Sequence, residues 1–423
     1  MLKLLNALGI IVLLGVLYLI SNNKKAVNKK MVLKALAIQF VIAFLLVKFP
    51  IGRMLLQKVS DVVTNVLSYG QEGLSFVFGN LADSSMPTGS IFAIQVLANI
   101  VFTSALVAAL YYLGVIGFVV KLIGGAIGKI LGTSKVESFV AVANMFLSQT
   151  ESPILVSKYL GKMTESEMLL VLISGMGSMS ASVLMGYTGM GIPMEYLLIA
   201  GALVPLGSIV VSKLIIPEKI KETSTVKKSV YNEGSDLLES EISATTEEEI
   251  DDINIDNKGD NPNLISAISQ GAGDGLNLAL GIGASLIAVI GLVALVNGVL
   301  GVFGLSLEKI LSILFAPIGF FMGVAKENIL TASQLLGTRL VLNEFVAFGQ
   351  LGEILKTLDY RTGLMMAISV AGFANISSMG VCISGISVFC PEKRGLVAKL
   401  ALRGMIGGFC VSLLSALIVG LIV

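Results

Sequence analysis

Two short stretches place carboxylates and amides inside otherwise apolar parts of the chain. The first, N-M-F-L-S-Q-T-E-S-P over residues 144–153, contains Gln149, Thr150 and Glu151. The second, L-V-L-N-E-F-V-A-F over residues 340–348, contains Asn343 and Glu344. A carboxylate at membrane depth is costly unless it is partnered, and a proline breaks a helix and frees backbone carbonyls. The two stretches therefore predict one binding site that is made from two halves.

The chemistry of these residues favours a neutral ligand that is rich in hydroxyl groups. Vicinal hydroxyls of a sugar can donate to two carboxylates, and Gln149 offers a donor and an acceptor to the edge of a base. Phe373 offers an apolar wall, and we expect no buried cation beside the acids, which disfavours an anionic ligand. A single buried glutamate would be consistent with a structural contact between helices. Two glutamates, each beside an amide in an interrupted segment, favour binding.

The composition is that of a membrane protein. Of the 423 residues, 55% are hydrophobic and 13% are charged, and the mean hydropathy of +0.90 is typical of chains that cross a bilayer several times. The net charge of +1 gives no electrostatic reason to expect nucleic acid as a partner. Histidine is absent, and Cys382, Cys390 and Cys410 show no metal-ligand spacing, so we expect these cysteines to serve packing.

The apolar segments predict an all-α polytopic membrane protein with about eight transmembrane helices, two re-entrant hairpins and several interfacial helices. The spans are expected at residues 4–20, 31–47, 91–120, 167–187, 194–216, 276–303, 364–388 and 396–423. The hairpins are expected at residues 136–161 and 327–351, and the interfacial helices at residues 51–79, 121–135 and 307–324. Lysines rather than a small-residue cleavage site follow the first segment, so we interpret it as a retained span.

A hairpin, a broken span and a further span occur twice, at residues 136–216 and 327–423. The distribution of lysine and arginine puts residues 24–30 in the cytoplasm and both termini outside, so that the two repeats are inverted. Interrupted segments at matching places in two inverted halves indicate the binding site of a transporter. The predicted division is a scaffold of residues 1–120 and 264–305, a transport domain of residues 121–216 and 306–423, and an acidic cytoplasmic loop of residues 217–263.

Carbonyls freed by the helix breaks, together with asparagine and serine oxygens, form a site that suits a hard cation. We expect sodium to bind between the first hairpin and the first broken span. Its ligands would be the side chains of Asn144 and Ser178 and the backbone carbonyls of Leu147 and Met179. Proton coupling through Glu151 or Glu344 is the alternative.

The chain closely resembles the concentrative nucleoside transporters over nearly its whole length, apart from the acidic loop. The resemblance lies in N-M-F-L-S-Q-T-E-S-P-I-L-V (144–156), G-A-G-D-G-L-N-L-A-L (271–280), Q-L-L-G-T-R-L-V-L-N-E-F-V-A-F (334–348) and G-F-A-N-I-S-S (372–378). Ser148 is a departure, because the family usually has glycine before Q-T-E.

This resemblance implies a homotrimer in which a transport domain moves against a scaffold in an elevator-like manner. It implies that the base of a nucleoside is faced by Gln149, Thr150 and Val183. It implies that the ribose is held by Glu151, Glu344, Asn375 and Ser378, with Asn343 and Phe373 nearby. It also supports sodium binding at Asn144, Leu147, Ser178 and Met179.

Together these observations predict a secondary active transporter of the cell membrane that imports nucleosides with a sodium gradient by alternating access. Uridine-like nucleosides are expected, and purine nucleosides remain open. The alternative is a proton-coupled nucleoside or nucleobase transporter. A channel is disfavoured because the polar residues cluster at two breaks and do not follow whole helices. An enzyme is disfavoured because the sequence shows neither histidine, nor a metal cluster, nor an activated nucleophile.

Overall fold

A computed structural model of the chain describes residues 1–83, 91–218, 257–258 and 261–423. All regular elements in these ranges are helical, so the predicted fold class is confirmed. The acidic segment 217–263 lies largely outside the described residues. Short 3₁₀ turns join the helices at Gly79–Ala82, Ala181–Val183, Lys326–Asn328, Leu355–Thr357 and Pro391–Lys393.

The N-terminal part contains two spans, an amphipathic pair of helices and a third span. The helices are α1 (Leu2–Leu19), α2 (Lys29–Val47), α3 (Pro50–Ser68), α4 (Gly70–Phe78), α5 (Asn99–Tyr112) and α6 (Val115–Leu131), with a π-helical turn at Ala93–Leu97 before α5. The prediction of an unbroken span over residues 91–120 is wrong at its end. Gly114 has a φ of +78°, a left-handed conformation that separates α5 from α6.

The first repeat follows directly. Its helices are α7 (Lys135–Ala143), α8 (Ser152–Leu155), α9 (Ser157–Leu160), α10 (Glu165–Gly177), α11 (Leu184–Gly189) and α12 (Met194–Ile215). Capping boxes set the starts of α7 and α10, because Ser134 pairs with Glu137 and Thr164 pairs with Glu167. The helices α7 to α9 form the first hairpin, and α10 with α11 forms the first broken span.

A single long helix, α13 (Leu264–Gly301), connects the repeats. It begins twelve residues earlier than the span predicted at 276–303, because the side chain of Asn263 caps its first turn. The helix packs closely on α5 at Gly271 and Gly275. A Cβ atom on Gly271 would lie 2.5 Å from the Cβ of Ala108, so the approach requires glycine.

The second repeat reproduces the order of the first. Its helices are α14 (Leu307–Leu314), α15 (Ala316–Phe321), α16 (Ile329–Val341), α17 (Glu344–Ile354), α18 (Tyr360–Val370), α19 (Ile376–Phe389) and α20 (Arg394–Ile422). The second hairpin is formed by α16 and α17, and the second broken span by α18 and α19. Asn343 caps α17 and Asn375 caps α19.

Among the described residues, seven helices are long and apolar enough to cross a membrane, and the broken span of α18 and α19 adds the predicted eighth. The core lies where the repeats meet, since α10, α12 and α20 are almost wholly buried while α13 is almost wholly exposed. The contact between α10 and α20 is close. A Cβ atom on Gly408 would lie 2.8 Å from the backbone nitrogen of Gly177.

Candidate functional site

The breaks in the two broken spans lie against each other. The backbone N–H of Phe373 in the second break donates to the carbonyl of Ser178 in the first, at 3.1 Å. Gly372 has a φ of +110°, and a Cβ atom there would lie 2.7 Å from the carbonyl oxygen of Gly177. Both the backbone conformation and the close approach therefore require glycine at residue 372.

The tip of the first hairpin is closed by a reciprocal pair of hydrogen bonds. The N–H of Ser148 donates to Glu151 Oε2 at 2.8 Å, and the N–H of Glu151 lies 3.3 Å from Ser148 Oγ. This is the pattern of a capping box, here in the turn that precedes α8. Ser148 Oγ also lies 3.1 Å from Thr150 Oγ1. The backbone N–H of Ser148 thus holds the Glu151 carboxylate within the tip, while its hydroxyl, the departure from the family pattern, contacts Thr150 and the N–H of Glu151.

Two glycines let this tip pack between the broken spans. A Cβ atom on Gly175 would lie 3.1 Å from the Cβ of Gln149, and one on Gly385 would lie 2.7 Å from Thr150 Cγ2. Thr150 faces a groove along α19 that is lined by Ser377, Gly380, Val381, Ser384, Gly385 and Val388. The hairpin tip is therefore in contact with a broken span of each repeat.

A line of hydrogen bonds runs from this tip to the carboxylate of the second hairpin. Gln149 Nε2 donates to Ser378 Oγ at 3.4 Å, and the N–H of Ser378 donates to Asn375 Oδ1 at 3.0 Å. Asn375 Nδ2 in turn donates to Glu344 Oε2 at 3.1 Å. Four of the predicted substrate residues are thus brought together, although Gln149 and Ser378 are 229 positions apart along the chain.

The line also shows which polar atoms are already engaged. Cys382 Sγ donates to Gln149 Oε1 at 3.3 Å, so both ends of the Gln149 amide have partners. The Oδ1 atom of Asn343 accepts from the N–H of Val346 at 2.9 Å and so serves as a helix cap. Some of the polar atoms that the sequence predicts to contact a ligand therefore already form hydrogen bonds within the protein.

The remaining predicted substrate residues lie at the edges of this arrangement. Val183 is fully buried in the 3₁₀ turn after the first break, and Phe373 is half-buried in the second break. Glu151 is half-buried, and its described hydrogen bonds are to Ser148 and not to the line that leads to Glu344. The two carboxylates are therefore held in different ways.

Tyr187 is a site residue that sequence reasoning missed. Its hydroxyl donates to Glu344 Oε1 at 3.3 Å, and its ring packs on Phe345 and Phe348 with centroid distances of 4.9 and 4.5 Å. The tyrosine belongs to the first repeat and the glutamate to the second. The sequence signal that could have identified it is a tyrosine in the short helix that follows the first break.

Arg339 corrects the prediction that no buried cation lies beside the acids. Its side chain is completely buried in the last turn of α16, five positions before Glu344. The arginine lies within the quoted motif of residues 334–348. It was overlooked because arginine is rarely buried and its hydrogen-bond partners lie 30 or more positions away.

The four predicted cation ligands are buried at the contact between the first hairpin and the first break. They are Asn144, Leu147, Ser178 and Met179. Asn144 Nδ2 donates to Ser174 Oγ at 2.9 Å and to the carbonyl of Val140 at 3.1 Å. Its Oδ1 atom is buried without a hydrogen-bond partner among the described residues. An orphaned amide oxygen is costly by itself, so this donor set fits a bound cation.

Two broken spans that meet among helices long and apolar enough to cross a membrane, each beside a hairpin, are typical of a multi-pass membrane transporter. Comparison with known families agrees. The model described as Na+ dependent nucleoside transporter C-terminus matches residues 196–420, its N-terminal counterpart matches residues 8–81, and a nucleoside recognition model matches residues 93–194. The chain belongs to the Na+ dependent nucleoside transporter family, which confirms the resemblance seen in its motifs.

Named relatives cover the whole chain. Nucleoside permease NupC of Helicobacter pylori is 36% identical and aligns over 100% of this chain and 98% of its own. Sodium/nucleoside cotransporter 1 of Mus musculus is 31% identical over 99% of this chain and 64% of its own. The solved structure of CNTnw in an inward-facing substrate-bound state is similar with a TM-score of 0.88 at 36% identity, covering 100% of this chain and 98% of that one.

Proposed function

We propose that the protein imports nucleosides into the cell by coupling their movement to a sodium gradient. The observation that carries this proposal is the hydrogen-bonded line from Gln149 through Ser378 and Asn375 to Glu344, which joins the first hairpin to the second break and the second hairpin. Family membership supports nucleosides as the substrate class, because the matching models describe nucleoside transport and nucleoside recognition.

In the proposed site, the second repeat holds the ribose and the first hairpin faces the base. Glu344 accepts from ribose hydroxyls, while Asn375 and Tyr187 keep its carboxylate in place by donating to its two oxygens. Ser378 and Glu151 complete the sugar contacts, with Asn343 nearby. Gln149, Thr150 and Val183 face the base, and Phe373 covers one side of the ligand.

Coupling is proposed to use the cation site at the first break. Asn144 Oδ1, the Ser178 side chain and the carbonyls of Leu147 and Met179 would hold sodium, which supplies positive charge where two helices end. A bound ion would hold the first hairpin against the first break. Because Gln149 lies in that hairpin, ion binding would then favour nucleoside binding.

Alternating access is proposed to occur by an elevator-like movement of the two repeats against a scaffold. The repeats form one buried core, whereas α13 and α5 pack on each other and leave most of α13 exposed. Solved CNTnw structures are described as inward-facing and outward-facing, and this chain aligns with both, at TM-scores of 0.88 and 0.87. We further propose a homotrimer, built on the exposed apolar face of α13, with both termini outside the cell.

Uridine uptake into proteoliposomes tests the coupling. Uptake is expected to need an inward sodium gradient and to respond little to pH at fixed sodium. Replacing Asn144 by alanine should raise the half-saturating sodium concentration about 10-fold, since it removes one charge-assisted ligand of about 1.5 kcal/mol. Ser174→Ala is the matched control, because it removes the partner of Asn144 Nδ2 and leaves Oδ1 in place. Full uptake in sodium-free buffer would refute sodium coupling and favour the proton-coupled alternative.

A further inference from the structure

A buried arginine lies at the break of the second broken span. Arg339 is in the last turn of α16, with 0% of its side chain exposed. Its Nη1 donates to the carbonyl of Ser369 at 2.7 Å, its Nε to the carbonyl of Gly372 at 3.2 Å, and its Nη2 to Ser412 Oγ at 3.0 Å. The ring of Phe409 lies 5.5 Å from the guanidinium carbon. A buried charge persists only with such partners.

The carbonyls that Arg339 binds are those freed by the helix break. The half-helix α18 ends at Val370, so its last carbonyls lack partners within the helix and carry a partial negative charge. Arg339 takes the carbonyls of Ser369 and Gly372, and Ser412 Oγ donates to the carbonyl between them, that of Ala371, at 2.6 Å. The second break is therefore neutralised by a side chain of the protein itself.

At the corresponding place in the first repeat, the described residues supply no such charge. Asn144 follows the last residue of α7, as Arg339 lies in the last turn of α16, and each faces the end of a broken half-helix. At the first break the half-helix α10 ends at Gly177, and Asn144 reaches it through Ser174. There Asn144 Oδ1 is left without a hydrogen-bond partner in the described part of the chain. One break thus carries its own cation, and the other presents an acceptor.

We propose that Arg339 is a resident cation. In the second repeat it occupies the position that the coupling ion occupies in the first repeat. This inference rests on the sodium site of the proposed function. Because only the second break has a cation of its own, only the first break needs a bound ion. One sodium ion should then move with each nucleoside. Arg339 is then a positioning residue, because it fixes the carbonyl of Gly372, three positions before the Asn375 that donates to Glu344.

Chemical rescue tests the role of the charge. Arg339→Ala is expected to lower uridine uptake at saturating sodium by at least about 10-fold, because it leaves the buried carbonyls of Ser369 and Gly372 without their partner. Millimolar guanidinium should restore most of the uptake, whereas urea, which has the same shape without the charge, should not. The control is Arg403→Ala, a partly exposed arginine that donates to Asn22 and should transport as the wild type does. Equal rescue by urea, or normal uptake by Arg339→Met, would overturn the proposal.

Two measurements keep the proposal testable if the alanine variant does not fold. Arg339→Lys, which keeps a charge, should retain more uptake than Arg339→Met, which does not. In the wild type, the ratio of sodium to uridine taken up should be one, and a ratio of two would overturn the proposal. Sodium-independent uptake by the wild type would instead refute the proposed coupling, while rescue of Arg339→Ala by guanidinium would still support the resident cation.

Discussion

The two hairpins carry similar motifs but hold their glutamates differently. Glu151 belongs to a capping box with Ser148, three positions away, so its geometry is set within one turn of chain. Glu344 is held by Asn375 and by Tyr187, which lie 31 and 157 positions away, and one of them comes from the other repeat. The position of the Glu151 carboxylate is therefore set within its own hairpin, whereas the position of the Glu344 carboxylate depends on how the two repeats pack on each other.

This comparison predicts the largest loss for the carboxylate that bridges the repeats. Glu344→Gln should lower uridine uptake about 100-fold, because an amide cannot accept from Asn375, Tyr187 and ribose hydroxyls together, which costs about 3 kcal/mol. Uptake by purified protein in proteoliposomes with a sodium gradient measures this. Glu353→Gln, on the exposed side of the same helix, is the matched control and should be neutral. Near-normal uptake by Glu344→Gln would remove this residue from the site.

A smaller loss is expected for the locally held carboxylate. Glu151→Gln keeps an oxygen that can accept from the N–H of Ser148, so the hairpin tip should remain closed. Only its contact with the ligand weakens, by about 1.5 kcal/mol, which raises the KM for uridine about 10-fold with little change in maximal rate. Glu165→Gln, which affects a surface ion pair with Lys399, is the control. A loss as large as that of Glu344→Gln would show that the two acids are equivalent.

The smallest effect is expected for the residue that positions Glu344 without reaching the ligand. Tyr187→Phe keeps the ring against Phe345 and Phe348 and removes one hydrogen bond of 3.3 Å. Losing about 1 kcal/mol should raise the KM for uridine about 5-fold. Tyr196→Phe is the control, since that tyrosine packs on Tyr360 away from the breaks. The two tyrosine variants should be compared in the same uptake assay, and equal KM values would exclude positioning by Tyr187.

Much of the fold could be predicted because its signals are local. Hydropathy locates the spans, and runs of glycine and serine locate both broken spans. The sequence shows the order of hairpin, broken span and further span twice along the chain. The end of α5 was mispredicted because Gly114 breaks the helix inside an apolar run, where hydropathy alone gives no boundary.

The sequence predicted which residues lie at the site, but not which of their polar atoms already have hydrogen-bond partners within the protein. Asn343 and Asn375 were assigned to the ligand, yet each also caps a helix through its Oδ1 atom. Arg339 and Tyr187 were missed because their partners lie far away in the sequence. An arginine can be buried only where hydrogen-bond partners surround it, and for Arg339 these partners come close only in the folded chain.

The sequence by itself determined where most spans lie, where the two broken spans are interrupted and which polar side chains lie at those breaks, because helix formation and helix breaking depend on neighbouring residues. Only the tertiary structure decided that the carbonyls of the second break are bound by Arg339, while Asn144 Oδ1 at the first has no hydrogen-bond partner among the described residues. The reason is that a buried polar atom must find a partner, and here the partners come from helices that are distant along the chain.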